Sequence, residues 1–135
     1  MRDIIFRGKR LEPNELYINQ WVYGFFTRCD KSGNCYITTQ TNVGGAHQHK
    51  VYPESIGQYT NKKDEYAKEI YEGDLLLIEI HDFNTGKIIA SETCEVMFKG
   101  DRFGVKFGNA QEFTGLCDFS NTTFEVVGNV FESKE

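Results

Sequence analysis

The spacing of its turns is what most limits the folds open to this chain. From residue 70 onward, Gly73-Asp74, Asp82-Phe83-Asn84-Thr85-Gly86 and Lys99-Gly100-Asp101 separate short segments too brief for helices. Within those segments the apolar residues recur at every second position. Phe103, Val105 and Phe107 alternate with Arg102, Gly104 and Lys106, which predicts a strand with one face toward a core and one toward water. Leu75 to His81 is apolar enough for a central strand, and Cys94, Val96 and Phe98 alternate with Thr93, Glu95 and Met97. Phe124 to Phe131 reads as a closing strand, whereas Gly108 to Ser120 is irregular with room for a helical turn. Five short strands over roughly 60 residues predict a small bent barrel of SH3-like or OB-like size.

Composition points the same way for the remainder of the chain. Val, Ile, Thr, Tyr, Phe and Trp supply 47 of the 135 residues and Ala plus Leu only 10, which suits pleated sheet and excludes a helical bundle. Ile4 to Gly8 predicts a first strand. A hairpin follows, from Trp21-Val22-Tyr23-Gly24-Phe25-Phe26-Thr27-Arg28 through a turn at Asp30 to Asn34 and back along Cys35 to Thr39. Alternation puts Trp21, Tyr23 and Phe25 on one face of that strand and Val22 and Phe26 on the other. With apolar groups on both faces, the strand is expected to be covered on both sides, by protein of its own or by a partner. Residues 40–50, polar and containing Gly44-Gly45, predict a mobile loop, and Asn61 to Lys68 a solvated turn. The expected organisation is a mainly β chain: an N-terminal β-hairpin subdomain over 1–68, and a barrel-like subdomain over 69–135, with one continuous domain over 1–135 as the alternative.

Charge divides at the same place. Residues 1–68 hold ten Lys/Arg against seven Asp/Glu, and residues 69–135 five against thirteen, giving +3 and −8. An acidic half is a poor surface for a phosphate backbone, so nucleic-acid contact is expected only from the opening cluster Arg2, Arg7, Lys9 and Arg10. Those same charges also fit an edge strand protected against sheet-to-sheet pairing. No apolar run approaches the roughly 20 residues of a membrane span, and the first residues lack a signal-like apolar region, so a cytoplasmic protein without membrane contact is expected.

Four cysteines, Cys29, Cys35, Cys94 and Cys117, show no CxxC spacing, which argues against a zinc ribbon. Cys29 and Cys35 flank the hairpin turn and can face one another across it, but in a reducing cytoplasm free thiols are the expectation. His47 and His49 would share one face of a strand and form the one metal-like pair. A third ligand such as His81 is not local, so no metal is expected.

Catalytic signatures are missing from the sequence. No serine lies in a Gly-x-Ser-x-Gly elbow, no glycine cluster has phosphate-loop or dinucleotide spacing, and no His-Glu-x-x-His occurs. Glu72 and Asp74 would share a strand face, yet an Asp after Gly more commonly accepts backbone N–H groups where a strand opens, so Gly73 and Asp74 are read as a structural turn. No cofactor is expected and the chain is read as non-enzymatic.

Several segments also bear a family likeness. Arg2-Asp3-Ile4-Ile5-Phe6-Arg7-Gly8, Trp21-Val22-Tyr23-Gly24, the stretch Val51 to Thr60, Glu69-Ile70-Tyr71-Glu72-Gly73-Asp74-Leu75-Leu76 and the closing Phe124 to Glu132, in that order, resemble the YopX family of bacteriophage and prophage proteins. Lys62 to Ala67 matches loosely. The resemblance implies a mostly β protein of a phage or prophage, in a family whose biochemical role is undefined, and it carries over no catalytic residue. The functional expectation is a protein-interaction module that self-associates or binds another phage or host protein through Trp21, Tyr23, Phe25 and Phe26. The alternative is a single-strand nucleic-acid binder that uses the N-terminal cations.

Overall fold

A computed structural model describes residues 4–11, 21–40 and 44–132. The chain forms two compact units, Met1–Tyr59 and Thr60–Glu135. Both are built from antiparallel strands. The mainly β expectation is what the structure shows, since the described residues contain twelve strands and only two single 3₁₀ turns, at Pro53–Ser55 and Leu116–Asp118.

In the first unit β1 (Phe6–Lys9), β2 (Trp21–Cys29), β3 (Cys35–Gln40) and β4 (Ala46–Val51) pair in the order β4-β3-β2-β1. The opening residues of β5 (Gly57–Lys63) add to β1. The sheet curls so far that the end of β1 meets the end of β4. The Tyr52 N–H donates to the Lys9 carbonyl at 2.9 Å and the Leu11 N–H to the Lys50 carbonyl at 3.0 Å. Gly8 permits this approach, because a Cβ there would stand 3.0 Å from three side-chain carbons of Val51. Val22, Cys35, Ile37 and Val51 fill the inside of the curl, with Phe6 and Ile56 against them.

The structure corrects the mobile loop expected over residues 40–50. Residues 41–43 lie outside the described ones, but Ala46–Val51 is a paired strand in register with β3 from Gln40↔Ala46 to Cys35↔Val51. Gly44, at φ 85°, supplies a left-handed position before it. The strand escapes sequence reading because its inward positions are His49 and Val51, only one of them apolar. Free thiols are corrected as well: Cys35 is disulfide-bonded, Cys94 and Cys117 are free, and the register sets Cys29 opposite Cys35.

In the second unit the rest of β5 pairs with β6 (Glu69–Tyr71). Two three-stranded sheets follow. One has the order β12-β7-β8, from β12 (Thr122–Asn129), β7 (Asp74–His81) and β8 (Ile88–Glu95); the other has the order β11-β10-β9, from β11 (Glu112–Gly115), β10 (Arg102–Phe107) and β9 (Met97–Lys99). β7, β10 and β12 match the periodic segments of the sequence, but β11 lies in the stretch Gly108 to Ser120 read as irregular, the alternating segment Thr93 to Phe98 divides between β8 and β9 in different sheets, and among the described residues the strands do not close into a barrel. Leu76 and Ile78 of β7, Cys94 and Val96, Phe103 and Val105 of β10, Ile70 and Leu116 form the core. Phe107, Phe119 and Phe124 extend it as a run of edge-to-face rings with centres 5.5 and 5.6 Å apart.

Asn61 to Lys68, read as a solvated turn, is instead strand to Lys63 and then a tight turn built on Asp64. Asp64 Oδ1 accepts the Tyr66 N–H at 2.9 Å and the Lys68 N–H at 2.8 Å, while Oδ2 accepts the Val126 N–H of β12 at 2.9 Å. Burial pushes this carboxyl up. The three N–H donors, of Val126, Lys68 and Tyr66, and the charge of Lys68 outweigh that and hold it below the usual carboxylate value.

Candidate functional site

β2 is held from both sides by its neighbours' backbones, and the register decides which of its side chains face out. Phe6↔Gly24 and Gly8↔Val22 pair with β1, and Phe26↔Ile37 with β3, so Val22, Gly24 and Phe26 line the concave side. Arg7↔Tyr23, Lys9↔Trp21 and Phe25↔Thr38 place Trp21, Tyr23 and Phe25 on the convex side. The division matches the alternation in the sequence. It ends at an irregularity between Phe26 and Arg28.

Burial differs sharply among the four aromatic residues. Phe25 is 56% and Tyr23 45% exposed, with Phe26 at 38%. Trp21 is half-buried, with the Arg7 guanidinium carbon 4.9 Å from its ring centre. Phe26 leans on Phe6, ring centres 5.7 Å apart. Gly24 between them cannot be replaced freely, because a Cβ there would fall 2.2 Å from the Thr38 carbonyl oxygen. The consequence is a firmly paired strand that offers two neighbouring apolar rings to solvent on one side.

The remaining sequence candidates lie apart from these rings in character or position. Arg7 and Arg10 are buried, Lys9 is half-buried, and Arg2 lies outside the described residues. His47 and His49 do share a face, ring centres 6.3 Å apart. His49 is buried and its Nε2 lies 3.2 Å from Thr39 Oγ1; burial, then the charge of Arg10 and then His47, lowers its proton affinity below the usual histidine value. Among the described residues no group of three or more His, Cys, Asp or Glu is placed to hold a metal ion. Gly73 sits at φ 93° and Asp74 is buried, its Oδ2 accepting the Tyr71 N–H at 2.7 Å. His81 bridges strands, with Nδ1 3.2 Å from the Gly86 carbonyl and Nε2 3.2 Å from Thr123 Oγ1.

Two carboxylates with structural duties give no sequence signal. Asp64 is one. The other is Glu92 of β8, which accepts the Gly108 N–H at 3.1 Å and the Cys94 thiol at 3.4 Å. The Gly108 bond comes first among the causes that keep Glu92 below its ordinary value.

Strand-paired, mainly β, and without a helix among the described residues long and apolar enough to cross a membrane, the chain falls among small antiparallel β proteins. It belongs to the YopX family: the family model described as YopX protein matches residues 5–135. That membership suggests a phage-type protein whose biochemical role is undefined. In three dimensions the chain is similar to the crystal structure of protein EF1440 from Enterococcus faecalis, with a TM-score of 0.52 at 18% identity over 98% of this chain and 96% of that one. At this identity the likeness concerns the fold. No curated protein matches the chain.

Proposed function

We propose that the protein is a non-enzymatic interaction module of a phage or prophage, and that it self-associates through the convex face of β2. The observation that carries this reading is the pair of exposed rings, Tyr23 and Phe25, two residues apart on a strand whose other face buries Val22. Aromatic residues are the usual anchors of protein interfaces, since they bury much apolar area with few rotatable bonds. Two adjacent rings on a rigid sheet need little ordering on binding. Lys9, half-buried and the cross-strand neighbour of Trp21, adds a cation at the edge of the patch.

The reading is tested by sedimentation velocity of the wild type beside Tyr23→Ser/Phe25→Ser. Tyr23 is 45% and Phe25 56% exposed, so the double variant should remain folded, which circular dichroism checks. Its sedimentation should no longer depend on concentration, while that of the wild type does. Equal sedimentation of both proteins at every concentration would overturn the proposal.

A further inference from the structure

Cations in the acidic part of the chain are concentrated on one surface. Residues 69–132 hold four, Lys87, Lys99, Arg102 and Lys106, and three of these belong to the β9-β10-β11 sheet. Arg102↔Lys99, Lys106↔Phe113, Gly104↔Met97 and Gly104↔Gly115 are register partners, so all of these residues share the face opposite the buried Phe103 and Val105. Gly104 lets Phe113 lie close on the strand: a Cβ at Gly104 would come 2.7 Å from the ring's Cζ and 2.3 Å from the Thr114 carbonyl oxygen. The Lys99 Nζ lies 5.9 Å and the Arg102 guanidinium carbon 5.7 Å from the centre of that ring. Asp118 pairs with Arg102 Nη1 and fixes the guanidinium beside it.

We propose that this face binds single-stranded nucleic acid, with Phe113 stacking a base and Lys99 and Lys106 neutralising the phosphates on either side. An aromatic ring within 6 Å of two cations suits a ligand whose planar group and negative charge lie next to each other, as they do in a nucleotide. A duplex keeps its bases stacked inside and has no free base for the ring. An acidic peptide satisfies the lysines alone and makes no use of a ring seated on glycine. The net charge of −5 does not forbid the contact, because charges farther away than about 8 Å are largely screened at physiological ionic strength, whereas Lys99 and Lys106 act at contact distance and Asp118 is matched by Arg102. The site involves none of the β2 residues, so it stands or falls independently of self-association.

Fluorescence anisotropy with a labelled oligothymidylate of about 15 nucleotides tests it on the full chain. Wild type should bind at low salt, and the logarithm of its affinity should fall with the logarithm of salt by about 0.7 per phosphate contact. Lys99→Gln/Lys106→Gln, at two exposed positions, should fold normally and lower that slope by about 1.4. Phe113→Leu keeps an apolar group over Gly104 without the aromatic face, and should weaken binding about tenfold at unchanged slope. No binding at about 50 mM salt overturns the proposal. So does binding that the lysine variant leaves intact, equal binding of a duplex, or displacement by polyglutamate as readily as by unlabelled oligonucleotide, the last of which would point to an acidic protein partner.

Discussion

Asp64→Ala should be among the most damaging substitutions of a polar residue in this protein. The carboxylate satisfies three backbone N–H groups, two in its own turn and one on β12, 62 residues away in sequence. A hydrogen bond to a charged group contributes about 1.5–3 kcal/mol, and a buried donor left without an acceptor costs a similar amount. Tyr66 and Lys68 are exposed, so water replaces the carboxylate for their amides at little loss. The Val126 amide is partly buried within a sheet strand, so its bond is lost nearly in full. The expected cost is therefore about 3 kcal/mol, read in urea denaturation as a lower midpoint at unchanged slope, or as a fall of about 10 °C in melting temperature. Asp64→Asn keeps one side-chain oxygen and should recover about a third of the loss. Because the folded carboxyl lies below its unfolded value of 3.8, the difference between wild type and Asp64→Ala is full above that pH and shrinks as pH falls through the lowered folded value. A loss below about 1 kcal/mol, or a difference that persists unchanged in acid, would refute the assignment of Asp64 as the clamp between turn and strand.

Gly24→Ala sets a methyl 2.2 Å from the Thr38 carbonyl oxygen and should destabilise the first unit by about 3 kcal/mol in the same denaturation assay. In the native protein Cys117, which is exposed, should react with iodoacetamide, whereas Cys94 should not. Burial, with the Glu92 hydrogen bond and charge after it, pushes the Cys94 thiol up to about 12, and mass spectrometry of peptides reads the difference. His49 contributes in the opposite sense to a salt-bridged histidine. Its folded value lies below the unfolded 6.5, so the unfolded chain takes up the proton first and stability falls as pH drops below 6.5 until the lowered value is passed. His49→Gln should flatten that part of a stability-against-pH curve.

What was legible in the sequence follows the physics of each segment. β7, β10 and β12 announce themselves because their inward positions are apolar at every second residue and glycine turns close them. β4 and the later part of β5 do not, because they bury His49, Thr60 and, just beyond the strand, Asp64. Such side chains read as loop until their partners are known: Thr60 Oγ1 donates to the Ile70 carbonyl at 2.8 Å, and Asp64 receives three amides. The two faces of β2 were legible from alternation alone, while the exposure of Tyr23 and Phe25 beside a half-buried Trp21 required the neighbouring strand with Arg7. Lys99, Arg102 and Lys106 were visible as separate charges on wet positions. Their gathering around Phe113 depends on two hairpin registers that no local pattern specifies.

Self-association through β2 is tested most directly by light scattering of the purified wild type between about 1 and 100 μM, since association by mass action must show as a concentration-dependent mass. The expected result is a mass that rises above 15.5 kDa over this range and stays at 15.5 kDa for Tyr23→Ser/Phe25→Ser. A wild type that holds 15.5 kDa at every concentration would contradict it.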